Sequence, residues 1–148
     1  MTLKRLLLYL WSSPTSLLGL AFLHPTLLTG GRARVVNGVL EVYGGLTSFF
    51  LKHCTLLPGG ASAMTLGHVV LGRNQSSLER TRGHERIHVS QCETWGPFFL
   101  PAYGIASAIA FLRGKDAYLD NRFEIEARDG SFIAASPSHF PSHNGHTP

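Results

Sequence analysis

At 148 residues the chain has room for one domain with a modest core. Only 15% of it is charged, against about 25% in ordinary soluble domains. The net charge of +4 favours anionic surfaces. Its Lys and Arg are scattered, however, with no basic run interleaved with aromatics, which argues against a nucleic-acid partner and for a membrane surface. Two cysteines, Cys54 and Cys92, are too few for a disulfide framework and sit in no C-x-x-C motif, so free, buried thiols are expected.

Residues 1–31 form an apolar N-terminal segment. Lys4 and Arg5 precede Leu6 to Trp11, Ser12-Ser13-Pro14 interrupts, and Leu17 to Leu28 resumes around His24 and Pro25. A membrane crossing needs about 20 continuous apolar residues. This stretch reaches that length only across Pro14, which a membrane helix can tolerate. The expectation is membrane association, as an anchor or as a broken hairpin lying on the bilayer or on the domain. A signal peptide fits the basic start but lacks a small-x-small cleavage site.

Arg34 to Val36 and Val39 to Tyr43 flank Asn37-Gly38. Asn-Gly between β-branched runs is a hairpin signal, because a type I′ turn needs φ > 0 at both central residues. Met64 to Leu71 reads as one further strand, with His68 structural or exposed. Beside the next helix it could pair with an extended peptide as an edge strand, or serve only as core.

A helix is expected from Ser76 or Ser77 to Trp95, stopped by Gly96-Pro97, with Leu78, Ile87, Cys92 and Trp95 as its buried stripe. Gly83 costs about 1 kcal/mol in a helix interior unless the backbone is closely approached there or the helix starts later. Within this segment lies His84-Glu85-Arg86-Ile87-His88. Imidazoles at i and i+4 share a helix face with Cβ atoms roughly 5–6 Å apart. They can therefore reach one tetrahedral zinc ion at about 2.0–2.1 Å. Glu85 then sits beside the metal rather than on it, placed to take a proton from water. The bland alternative is two ordinary helical histidines with an incidental glutamate.

Pro97 to Leu112 is a second apolar stretch, ended by Arg113 and Lys115, with Trp95 and Tyr103 as interfacial anchors. A full crossing would separate the residues before and after it by about 30 Å. A metal site shared between them requires this stretch to fold back as a core or re-entrant helix, and its small residues Gly104, Ala106, Ser107, Ala108 and Ala110 allow close packing. A loop, Asp116 to Asn121, then leads to a helix carrying Glu124 and Glu126, which alone would pass for surface charge. From residue 134 the tail is rich in Ser, Pro and His and should be disordered.

His84 to His88 reads H-E-x-x-H, the signature of the zincin metallopeptidases, and Glu124 to Ala127 reads E-x-x-A, which resembles the second helix of the gluzincins. Membrane-embedded enzymes of the CAAX-prenyl-protease type belong to that group. The resemblance implies Zn²⁺ held by His84, His88 and Glu124, with Glu126 as the fallback ligand and Glu85 as catalytic base. It departs at Arg128, where such families often carry Asp; Asp129 could partly replace that carboxylate. Residues 65 to 129 also resemble an uncharacterised bacterial family of short proteins. The shared pattern runs T-L-G-H-V, H-E-R-x-H-V-x-Q, W-G-P-x-F-x-P-A-Y and F-E-x-E-A.

The sequence thus predicts an α+β domain over residues 32–133: a small hairpin or sheet and three helices, the first bearing the motif. The implied function is a zinc metallopeptidase acting on a peptide or protein at the inner, cytoplasmic membrane. Tyr103, Tyr118 and His68 are candidate oxyanion stabilisers. The alternatives are a non-catalytic zinc-binding protein and a small membrane-associated protein with an accidental motif.

Overall fold

The structure is a computed structural model describing residues 2–55 and 57–135. Its centre is a four-stranded mixed sheet in the order β1-β2-β4-β3. β1 (Arg32–Val36) and β2 (Val39–Tyr43) form the expected antiparallel hairpin, with Asn37 and Gly38 at φ 49° and 79°. α4 (Gly45–His53) crosses over so that β4 (Val69–Gly72) runs parallel to β2, with β3 (Ala63–Leu66) antiparallel on the edge. The sequence suggested one strand over Met64 to Leu71. It is two, folded back at Gly67, whose φ of 66° is left-handed and whose Cα faces the backbone of Ser16 too closely for a side chain.

All four residues of β4 are buried, as befits a strand covered on both faces. The period-2 alternation sorts them. Val42, Val69 and Leu71 pack with Leu51 of α4, and Phe22 and Leu23 lie against that cluster. Val39 and Val70 face the other way, onto Leu78 and Val89 of α5 (Gln75–Trp95). Glu41 shares this second face and is almost fully buried; Arg34 Nε and Arg82 Nε lie 2.8 and 2.9 Å from its carboxylate. Arg82 belongs to α5, so the ion pair fixes that helix on the sheet.

Residues 3–28 form three short helices, α1 (Leu3–Trp11), α2 (Ser13–Leu20) and α3 (Leu23–Leu28). They pack on the domain: Thr26 and Thr47 hydroxyls are hydrogen-bonded at 2.6 Å, and Ser12 Oγ lies 2.9 Å from His68 Nδ1. With α4 these are four α-helices beyond the three that the sequence suggested for the domain, seven among the described residues.

α5 is capped by Asn74, whose side chain accepts the Ser77 N–H, so the helix starts slightly before the serines expected to cap it. Its buried stripe also differs from expectation. Glu85, His88, Val89 and Gln91 join Leu78 and Cys92, whereas Trp95 is exposed and Ile87 only partly covered. At Gly96 (φ 55°) the chain turns through a short 3-10 segment, Gly96–Phe98, into α6 (Phe99–Leu112). α7 (Arg122–Ala135) follows and packs along α5. The helical run Gln75–Leu112 is long and apolar enough to cross a membrane by length and composition, with only 17% of its apolar window buried. It is not one straight rod, because Tyr103 returns to within 6.3 Å of the His88 ring. Leu3–Trp11 together with Ser13–Leu28 is also long and apolar enough, but bent by 68°. Helix α7 continues through Ala135; the tail from 136 lies outside the described residues.

Candidate metal centre

α5 turns two faces to two neighbours. Residues 78, 85 and 89 point at the sheet and Cys92 packs with Phe99 and Phe123, while 84, 88 and 91 follow at i, i+4 and i+7 on the side covered by α7. Glu124 projects from the first turn of α7 toward them and is 3% exposed. One ligand atom from each of His84, His88 and Glu124 falls within 4.8 Å of the other two, a group able to hold a metal ion.

The polar atoms here satisfy one another only in part. His84 Nε2 and His88 Nε2 face each other at 3.0 Å, where at most one can donate. They approach Glu124 Oε2 and Oε1 at 3.1 and 3.3 Å, yet Oε2 is buried without a hydrogen-bond partner. Three converging lone-pair donors and an orphaned carboxylate oxygen are the arrangement a cation resolves, so the residues fit a bound divalent metal. Burial acts upward on Glu124, but the two imidazoles and the Tyr103 hydroxyl outweigh it and hold its carboxyl well below the usual carboxylate range. On His88, burial acts downward, but Glu124 and Glu85 outweigh it and raise the imidazole.

Supporting residues complete the site. Gln91 Nε2 donates to the Phe123 carbonyl at 3.1 Å and to Glu126 Oε2 at 2.9 Å, two groups that only accept. That fixes the amide orientation, so Gln91 Oε1 accepts from His88 Nδ1–H at 2.8 Å and leaves the Nε2 lone pair aimed at the ligand cluster. Tyr103 donates its hydroxyl to Glu124 Oε1 at 2.6 Å. Thr65 pairs with Val70 and so shares the α5 face of the sheet; its hydroxyl donates to Glu85 Oε2 at 2.7 Å. Burial raises the Glu85 carboxyl above its usual value, against the lowering effect of His88, Thr65 and His84.

His84 and Glu85 line a cleft of about 760 Å³, walled by Ala61 to Ala63 on one side and Asp116 to Leu119 on the other. Glu126 is exposed and bonded to Gln91 rather than turned into the cluster, and Asp129 is exposed, away from the supporting position suggested for it. His68 lies elsewhere, bonded through both ring nitrogens to Ser12 and Glu93. Cys54 is exposed, against expectation, and Cys92 is buried, its thiol pushed up to about 12 by burial.

Gln91 and Thr65 had no role assigned from sequence. Gln91 stands at i+3 from His88, and Thr65 at an inward β position. Both spacings are visible in the chain, but neither residue type marks a metal site alone. Comparison with family models, curated proteins and solved structures finds no match to this chain.

Proposed function

We propose that this protein is a zinc-dependent metallopeptidase of the gluzincin kind, with His84, His88 and Glu124 as ligands. The convergence of those three donors around an orphaned buried carboxylate oxygen carries the reading. When bound, zinc would act as a Lewis acid that lowers the pKa of water toward about 7. Glu85 accepts the proton of the attacking water and returns it to the amine nitrogen as the C–N bond of the peptide breaks. Thr65 holds Glu85 in place, and Gln91 keeps the proton of His88 on Nδ1. β3 is an edge strand beside α5, placed to align an extended substrate.

The site works at a membrane surface. Leu7, Leu10, Leu17, Phe98, Phe111 and Leu112 expose large apolar side chains, a density that monomeric soluble proteins avoid. Trp11 and Phe98 meet at 6.3 Å, so α1 and the start of α6 adjoin. Lys4, Arg5, Arg113 and Lys115 border these helices, as cations facing lipid headgroups do. A straight crossing by α6 would part His88 from Glu124 at its far end, so this reading has α6 lying against the bilayer rather than through it.

A zinc-binding protein without catalysis is the second reading, favoured by the Thr65 hydroxyl that already engages Glu85. Glu85→Gln separates the two. With a fluorogenic peptide library, the metallopeptidase reading expects hydrolysis to fall at least 100-fold in that variant with zinc content unchanged. A zinc-loaded parent that cleaves no peptide would favour the non-catalytic reading.

A further inference from the structure

The cleft beside the metal centre holds one cation, Arg128, among the residues that line it. Arg128 follows Glu124 by four positions on α7, so the two share a face about 6 Å apart along the axis. One guanidinium nitrogen donates to the Leu119 carbonyl, which anchors the side chain across the mouth of the cleft. A guanidinium carries five N–H donors, and that contact uses one. Among the described residues no carboxylate forms an ion pair with Arg128.

The acidic groups nearby each have a partner other than Arg128. Asp116 Oδ1 accepts the Tyr118 and Leu119 N–H groups at 2.8 and 2.7 Å. Glu85 is held by Thr65, and Glu124 belongs to the ligand cluster. An anchored arginine without a carboxylate partner, in a cleft of ligand size, is built to receive a planar anion in its fork.

We propose that Arg128 selects peptides carrying a carboxylate within one or two residues of the scissile bond. Arg128 lines the same cleft as His84 and Glu85, which keeps a carboxylate held there close to the scissile bond. This rests on the metallopeptidase reading, which fixes where the scissile bond lies. The carboxylate comes from a free C-terminus or from an Asp or Glu side chain, and both present the same two oxygens.

The test is calorimetric titration of the full-length, detergent-purified chain carrying Glu85→Gln to prevent turnover. Two probe pairs are used: acetyl-tetraalanine as carboxylate or carboxamide, and an amidated tetrapeptide with Glu or Gln at its third position. At least one carboxylate peptide should bind 10- to 100-fold tighter than its neutral twin. The pair that discriminates names the source. Adding Arg128→Gln should bring that ratio close to one, while Arg128→Lys keeps part of it because the charge remains and the fork is lost. A ratio measures selectivity between twins, so a general loss of stability in the variant does not imitate the result. Equal affinities in the parent, no binding of either pair, or a ratio unchanged by Arg128→Gln would overturn the assignment. Zinc content on the same samples keeps the two readings apart. One zinc per chain with no carboxylate preference sinks the Arg128 role alone; a preference without zinc sinks the metallopeptidase reading and with it the scissile-bond role, leaving Arg128 only as a carboxylate-binding residue.

Discussion

Two buried histidine clusters in this protein look alike in outline and differ in what they leave undone. At one, His68 uses both ring nitrogens, Nε2–H donating to Glu93 Oε1 and Nδ1 hydrogen-bonded to Ser12 Oγ, each at 2.9 Å, and the Tyr9 ring lies 4.2 Å away. Every polar group there has a partner, and the cluster ties the N-terminal helices to the β3–β4 turn. At the other, two Nε2 atoms point at each other and a carboxylate oxygen has no partner. A histidine beside a carboxylate is therefore a poor marker of a ligand. What distinguishes a metal centre is a surplus of inward lone pairs that the protein itself does not satisfy.

That contrast breaks most sharply under mutation. Glu124→Ala should reduce zinc from about one per chain to none, while His68→Ala leaves zinc content unchanged and lowers stability by about 1–3 kcal/mol in urea unfolding. Zinc lost on mutating His68 would mean that the two clusters are coupled. Gln91→Leu sharpens the comparison at intermediate strength. Releasing His88 Nδ1 should weaken zinc binding by about 10- to 100-fold, read by competition with a chelator. Unchanged affinity would show that packing alone orients His88.

Glu41 provides a reference carboxylate that is buried and fully paired. Burial pushes its carboxyl upward, but Arg82 and Arg34 outweigh this and leave it below its usual 4.5. A depressed carboxyl contributes stability that is present above pH 4.5 and lost as pH falls through the folded value. Acid unfolding of the metal-free protein should accordingly be shallower in Glu41→Gln below pH 4.5, with zinc binding at pH 7 intact. Identical acid limbs in the two proteins would rule that contribution out. The smallest effect is expected at Gly83. A Cβ there would lie 3.7 Å from Ser131, ordinary contact, and α5 runs helical through the position. Gly83→Ala should stabilise the fold by about 0.5–1 kcal/mol without touching the metal. Destabilisation would point to a close approach that this geometry lacks.

The sequence disclosed what short-range chemistry dictates. Asn37-Gly38 specified its turn, and the i, i+4 histidines declared a shared helix face. A site shared across residues 97–112 needs that stretch to fold back, and Tyr103 does reach Glu124. Less legible was whatever depended on partners distant in the chain. Met64 to Leu71 is uniformly strand-like, and only the contact between Gly67 and Ser16, 51 positions earlier, shows why it must break. Leu3 to Leu28 reads as an apolar run, but its small polar residues Ser12 and Thr26 are fully buried against His68 and Thr47. Trp95 looked like core and is exposed, because the inward positions of α5 went to Glu85, His88 and Gln91. Hydrophobicity locates a helix face only where the buried groups are apolar; at this site they are polar.

Zinc stoichiometry tests the central claim most directly, measured by elemental analysis of the detergent-purified chain truncated after residue 134, beside His84→Ala and Glu124→Ala. The account predicts about one zinc per parent chain and none in either variant. A parent that holds no zinc after reconstitution, or variants that keep it, would contradict it.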